Sequence, residues 1–281
     1  MSTEFTKVAS VEELLERLAE PGARILCGGT DLLVKMRGGL VLPSRLLDVS
    51  DLPELRGLSE KDGAIEIGAA VPFSEILANE VVRDRLPILA LVLSKLGSVQ
   101  IRNRGTLGGN LVNASPAADS AIALLLLDAR LSLTSARGDR SLALEEFLLG
   151  PGKTALGPGE FVRSIQVPIP DPPLAPSFRK VGRRKALTIA IASVGALTAA
   201  KNGVFEEVRL AAGSVAPTPL RLRKVEEIVR GKRLTPDLVA QARALTAQSV
   251  SPIDDVRSSA AYRREVTADL VARLLEESLH A

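Results

Sequence analysis

The chain has 281 residues and a mass of 29.7 kDa, with one Cys, one His, one Tyr, six Phe and no Trp; that is an ordinary globular composition, long enough for one large or two ordinary domains. The single thiol, Cys27, excludes an internal disulfide, and with His280 as the only imidazole the chain cannot build a Cys/His zinc site, hold an iron–sulfur cluster on its own cysteines, or assemble a Ser-His-Asp or Cys-His nucleophile. The net charge of +3 is uneven, with 18 Lys+Arg against 22 Asp+Glu up to Pro173 and 18 against 11 from Leu174 onward; the basic part reads as solvated Arg-rich surface or a protein-docking face, and seven aromatics are too few for base-stacking platforms, so no nucleic-acid partner is expected.

The first ten residues, MSTEFTKVAS, show no basic stretch leading into an apolar run, so no signal peptide is expected. Ser10-Val11-Glu12-Glu13 is a capping box, followed by Leu14, Leu15 and Leu18 at helical spacing. That helix should stop at Pro21-Gly22. A short strand over Arg24 to Cys27 runs into Gly28-Gly29-Thr30-Asp31 and a short helix through Met36, and a second strand covers Leu46 to Val49. Gly38-Gly39 has no polar donors around it and reads as a helix stop.

Ala64 to Ala70 alternates as a strand should. A helix starts near Val71-Pro72, and another runs over Leu86 to Leu96. The segment Gly97 to Ser115, GSVQIRNRGTLGGNLVNAS, has too little apolar periodicity for either regular element. It is expected to be a long functional loop. A helix over Pro116 to Asp128 and strands over Arg130 to Thr134 and Glu160 to Val167 follow.

Ile169 to Pro176 carries four prolines in eight residues and reads as the linker between two domains, unable to join a sheet. Beyond it, Phe178 to Gly182, Ile189 to Ala200 and Val204 to Gly213 read as strands, the last two joined by an Asn202-Gly203 hairpin turn. The charge-free run Ala186 to Ala200 has 15 residues, short of the ~20 of a membrane helix. No membrane span is expected, and the protein is placed in the cytoplasm. Helices over Leu220 to Arg230, Pro236 to Gln248 and Ala260 to Leu279 complete an α+β domain.

Two glycine loops carry the candidate chemistry: Gly28-Gly29-Thr30-Asp31 and Thr106-Leu107-Gly108-Gly109-Asn110. A backbone without Cβ can bring its N–H groups onto a phosphate, and Thr30, Thr106 and Asn110 add side-chain donors. Neither loop has the spacing of a dinucleotide fingerprint or a P-loop. Each Gly-Gly alone is also compatible with a plain turn or helix cap. Together they suggest a pyrophosphate gripped from both sides without a cation.

The runs ILCGGTDLLVKM (Ile25 to Met36) and QIRNRGTLGGNLVNASPAADS (Gln100 to Ser120) resemble the two FAD loops of the medium, FAD-binding subunit of molybdenum hydroxylases, the carbon monoxide, xanthine and aldehyde dehydrogenase complexes. SFRKVGRRKALTIAIASVGA (Ser177 to Ala196), GSVAPTPLRLRKVEEIVRGK (Gly213 to Lys232) and DDVRSSAAYRREV (Asp254 to Val266) resemble the C-terminal domain of the same subunit, in matching order. The resemblance implies an α+β fold. A two-lobed FAD-binding domain of the vanillyl-alcohol-oxidase type would cover residues 1–173, with lobes about 1–57 and 58–173, and a C-terminal domain of antiparallel sheet and helices residues 177–281.

It also implies FAD as cofactor, held by Ile25, Leu26, Cys27, Gly28, Gly29, Thr30, Asp31 and Leu32 on one side. Ile101, Thr106, Leu107, Gly108, Gly109 and Asn110 would hold it on the other. Asp119 matches a family carboxylate that contacts the cofactor, Val162 an apolar contact beside the flavin, and Lys180 (or Arg179, one residue away) a lysine near the flavin ring. A cation there would stabilise the negative charge of reduced flavin. The implied partners are a large molybdenum-cofactor subunit and a small subunit with 2Fe–2S clusters, arranged as a dimer of heterotrimers, with an external electron acceptor. Two other functions compete: a stand-alone flavin oxidase, and a non-redox nucleotide-binding assembly or regulatory subunit.

Overall fold

The computed structural model describes residues 3–184 and 187–279. His280, Lys185 and Ala186, the first residue of the charge-free run, lie outside the described residues. The chain begins with β1 (Glu4–Lys7), α1 (Val11–Leu18), β2 (Ala23–Leu26), α2 (Leu32–Arg37) and β3 (Arg45–Asp48). The three strands form a parallel sheet in the order β1-β3-β2. Ser10 accepts the Glu13 N–H as a cap should, while the Glu13 carboxylate reaches back to the N–H of Ala9, one residue before the cap. Val8, Val11, Leu14, Leu47, Val49, Leu52 and Leu55 fill this lobe's core, joined by Phe161 from the next.

The second lobe runs through β4 (Leu58–Lys61), β5 (Ala64–Gly68), α3 (Phe73–Ala78), α4 (Glu80–Arg85), α5 (Pro87–Ser94), α6 (Val99–Arg104), α7 (Leu107–Val112) and α8 (Asp119–Leu126). It continues with β6 (Arg130–Ser135), β7 (Gly138–Ala143), α9 (Leu144–Phe147), β8 (Leu148–Gly150), β9 (Lys153–Thr154) and β10 (Phe161–Pro168). Its main sheet is antiparallel in the order β4-β5-β10-β6-β7. The loop expected over Gly97 to Ser115 is instead organised as the two short helices α6 and α7. Each starts on a hydroxyl cap: Ser98 accepts the Ile101 N–H at 3.2 Å and Thr106 the Gly109 N–H at 3.1 Å. Caps supply here the start signal that apolar periodicity does not.

The third part holds β11 (Ala175–Val181), β12 (Ala192–Lys201), β13 (Val204–Gly213) and β14 (Leu220–Arg221), antiparallel in chain order, then α10 (Arg223–Val229), α11 (Pro236–Ser249) and α12 (Ala260–Glu277). Asn202 and Gly203 take φ of 53° and 77°, the twisted two-residue hairpin their dipeptide predicts. Pro176, expected in the linker and outside any sheet, pairs with Leu197 within β11. β11 is an edge strand, where a missing N–H is tolerated. Among the described residues no helix is long and apolar enough to cross a membrane.

The third sheet is buried on both faces. Ala192, Val194, Ala196, Val208, Leu210 and Ala212 point to a core shared with α10, α11 and α12. The alternate residues face the second lobe, where Phe178, Leu197 and Ala211 enter the core that surrounds α8. All eight residues of α8 are buried. A Cβ added at Gly195 would stand 2.9 Å from Ile122 and Leu126 side-chain carbons, and one at Gly213 2.9 Å from Ile122. These two glycines let the helix lie against the strands.

Both ends of α8 are tied to the third sheet. Lys180 of β11 pairs with Asp119 at 2.6 Å. Arg221 and Arg209 donate to the terminal carbonyls of Leu125 and Leu126, each at 3.0 Å, and both arginines pair with Asp128 at 2.9 Å. The last carbonyls of a helix need partners, and here they come from another part of the chain. The buried Arg221 is in turn held by both carboxylate oxygens of Glu226.

Ahead of α12, Asp255 accepts from the N–H groups of Arg257 and Ser258 and from the Arg263 guanidinium, which also holds the carbonyls of Ile191 and Ser214. Burial pushes the Asp255 carboxyl up, but those donors outweigh it and bring it down to about 2.

Two outcomes test this packing. Gly195→Val should cost ~1–3 kcal/mol of unfolding free energy in denaturant titration, whereas Gly57→Ala, with open space at its Cβ, should stay within ~0.5 kcal/mol; equal effects would remove the helix-to-sheet contact from the account. Because the folded carboxyl of Asp255 lies below its unfolded value of about 3.9, its contribution is present above pH 4 and lost as pH falls toward about 2. Asp255→Asn should therefore flatten the acid limb of stability between these values, and an unchanged limb would contradict the assignment.

Candidate functional site

A cleft of about 910 Å³ opens between the first and second lobes. From the first lobe it is lined by Ile25, Cys27, Gly28, Gly29, Thr30, Asp31 and Leu32, and from the second by Ile101, Thr106, Gly108, Gly109, Asn110 and Val162. Thirteen of the seventeen residues singled out in the sequence thus come together on one surface. Val162 stands where β10 breaks register against β6, a β-bulge of the kind that re-aims side chains beside sites. Leu26 and Leu107 do not line the cleft; Leu107 is fully buried in the second-lobe core.

The glycines have distinct tasks. A Cβ at Gly28 would stand 1.9 Å from the carbonyl oxygen of Arg104, and one at Gly108 would meet Ala69 at 2.6 Å. At both positions backbone packs on backbone, so the two loops close on their neighbours only without side chains. Gly29 is needed for its conformation, with φ of 69°. Gly39, with φ of 70° and open space around it, follows the end of α2 as a plain helix stop.

The two loops also differ in their amides. In the second, the N–H groups of Leu107, Gly108, Gly109 and Asn110 donate to Val71 O, Ala69 O, Thr106 Oγ1 and Thr106 O at 3.4, 3.2, 3.1 and 3.0 Å. In the first, the N–H groups of Gly29, Thr30, Asp31 and Leu32 have no acceptor among the described residues. The symmetrical grip read from the sequence is therefore one-sided. The second loop spends its amides on its own lobe and offers the Asn110 side chain, while the first offers a row of free backbone donors. Such a row on a concave surface is an anion cradle, and it fits the diphosphate of a nucleotide cofactor.

Asp119 and Lys180 lie outside the cleft lining and are joined to each other, their side chains 5% and 12% exposed. Burial raises the Asp119 pKa against the pull of Lys180. Asp119 Oδ1 has no hydrogen-bond partner. Arg179, the alternative to Lys180, points to the other face of β11 and pairs with Glu277. Strand alternation puts Lys180 at the junction with α8 and Arg179 on the opposite face of β11. Cys27 is a free thiol whose pKa is raised by burial, so it stays protonated and serves as a small wall residue.

Sequence reasoning missed Lys35, which lines the cleft, pairs with Asp31 at 2.7 Å and donates to Asn113 Oδ1 at 2.5 Å. The cleft is thus not free of cations, and the Asp31–Lys35 spacing of four residues was the available signal. It also missed the wall from Leu149 to Glu160, whose Gly152, Gly157 and Gly159 were its visible mark. Phe73 and Phe161 are the aromatic rings among the lining residues, both nearly fully buried. No group of three potential metal ligands occurs among the described residues.

Residues 1–170 match the family model of the FAD binding domain in molybdopterin dehydrogenase, and residues 177–278 that of the CO dehydrogenase flavoprotein C-terminal domain. The chain is 34% identical to the glyceraldehyde dehydrogenase medium chain of Sulfolobus acidocaldarius, over 97% of both chains. It is 31% identical to the xanthine dehydrogenase FAD-binding subunit of Escherichia coli O157:H7, over 99% of this chain and 96% of that one. Its fold is similar to that of carbon monoxide dehydrogenase from Hydrogenophaga pseudoflava, with a TM-score of 0.93 at 29% identity over 97% of this chain and 96% of that one. Quinoline 2-oxidoreductase from Pseudomonas putida 86 is likewise similar, with a TM-score of 0.94 at 29% identity over 99% and 97% of the two chains. A cleft with free amides, two matched domains and full-length relatives agree: the chain belongs to the FAD-binding medium subunits of the molybdenum hydroxylases, oxidoreductase components whose cofactor is FAD.

Proposed function

We propose that this chain is the electron-transfer link of a cytoplasmic molybdenum hydroxylase complex. It would take electrons from the 2Fe–2S clusters of a small partner subunit and deliver them to an external acceptor, while substrate is oxidised in a large molybdenum-cofactor subunit. The row of free amides from Gly29 to Leu32 on the cleft carries this reading. When bound, FAD supplies the exchange between one-electron and two-electron steps.

The chain's own residues bind and enclose. The Gly29, Thr30, Asp31 and Leu32 amides, with the Thr30 hydroxyl, would hold the diphosphate. Ile25, Cys27 and Gly28 form the wall on that side, backed by Leu26. Thr106, Gly108, Gly109 and Asn110, backed by Leu107, form the facing wall with Ile101 and Val162. Asp119 and Lys180 would act as one unit behind the cleft lining, where the charge of Lys180 is largely balanced by its partner before it is felt at a flavin. Residues 1–173 would be the cofactor domain in lobes of about 1–57 and 58–173, with residues 177–281 as the C-terminal domain.

A stand-alone oxidase with a thiol-linked flavin gains no support from Cys27, whose thiol burial keeps protonated. Among the described residues no three His, Cys, Asp or Glu side chains come together to hold a metal.

The purified chain should be yellow, and a colourless protein that takes up no FAD on reconstitution would favour a non-redox role. Thr30→Val keeps the side-chain shape and removes one donor to a charged group; FAD affinity should fall about tenfold with unchanged unfolding. Equal affinity would take Thr30 out of the site. Large molybdenum and small iron–sulfur chains should co-purify with this one, and bound FAD should be reduced by substrate only in their presence. Reduction of the isolated chain by substrate would contradict the link role.

A further inference from the structure

Ser120 is fully buried on α8 and outside the cleft lining. Ser120 is the second residue of α8, so no earlier turn of the helix offers its hydroxyl a carbonyl. The hydroxyl donates to Asn110 Oδ1 on α7 at 2.6 Å. Asn110 lines the cleft, and its Nδ2 has no partner among the described residues. An Asn amide has one accepting and one donating end. With Oδ1 engaged by Ser120, the donating end is the one left for the cleft.

The helix that carries Ser120 is itself fixed. Lys180 holds Asp119, the residue before Ser120, at 2.6 Å, and Arg221 and Arg209 hold the far end through Leu125 O and Leu126 O. The backbone of α7 is fixed separately by its bonds to Val71 and Ala69. The rotation of the Asn110 amide is left to Ser120.

We propose that Ser120 is a positioning residue for the cofactor site. It sets the Asn110 amide so that Nδ2 offers its two N–H groups to acceptor oxygens of FAD. The inference rests on the reading that Asn110 contacts FAD.

The test is a double-mutant cycle on the full-length chain, stripped of flavin and titrated with FAD, with unfolding of each apo chain measured in parallel. Ser120→Ala should weaken FAD binding about five- to tenfold, the loss of one hydrogen bond's net effect. Asn110→Ala should weaken it at least as much. In the Asn110→Ala background, Ser120→Ala should add less than about twofold, because residues acting through one contact do not add. Ser120→Thr, which keeps the hydroxyl, should bind FAD within about threefold of the parent. The proposal is overturned by a Ser120→Ala effect of full size in both backgrounds, by no effect in the parent, or by a Ser120→Thr chain as stable as the parent that still binds weakly. A parent chain that takes up no FAD would contradict the cofactor reading itself and is distinct from all three.

Discussion

The cofactor cleft depends on backbone meeting backbone where its two lobes touch. Gly28 lies so close to Arg104 O that a Cβ would stand 1.9 Å from it, and within the second lobe a Cβ at Gly108 would stand 2.6 Å from Ala69. A side chain at Gly28 would push the first loop off the second lobe, and one at Gly108 would push the second loop off Ala69 within its own lobe. The contact also decides which donors are free. The second loop binds Ala69 and Val71 with its amides, and the first is held through its glycine without spending its own. The second loop is therefore fixed to its own lobe by its amides, and the first keeps its amides free on the cleft.

A second dependence runs through α8. It is buried on every side because it is shared between the second lobe and the C-terminal sheet. Its ends are satisfied by Lys180, Arg209 and Arg221 from that sheet. Breaking such a buried pair by removing one partner is far costlier than the pair's net worth, so the C-terminal part is not a detachable appendage. Its register is tied to the helix that begins a few residues beyond the second glycine loop.

Much of this was legible in the sequence. The capping box at Ser10, the Asn202-Gly203 hairpin and both glycine loops are local signals, and local signals survive without tertiary knowledge. Family resemblance singled out Ile25 and Cys27 to Leu32, which line the cleft, together with Leu26, which does not. What was missed depends on contacts distant in sequence or on weak patterns. The six-residue helices α6 and α7 have caps but almost no apolar stripe. Pro176 joins a sheet only because β11 is at its edge. Asp119 and Lys180 are 61 residues apart, so their pairing could not be read from either neighbourhood. Lys35 was overlooked because the glycines beside it drew the reading toward a cation-free cradle.

The scarcity of Cys, His and Trp that marks the composition matches a site made from amides, hydroxyls and small apolar side chains. The two loops of that site divide the labour between them. Amide hydrogen exchange on the full chain, with and without FAD, tests that division most directly. The N–H groups of Gly29 to Leu32 should exchange fast in the apo chain and slow sharply on FAD binding, while those of Leu107 to Asn110 should be protected in both states. Fast exchange at Leu107 to Asn110 that slows with FAD, beside an unchanged first loop, would contradict it.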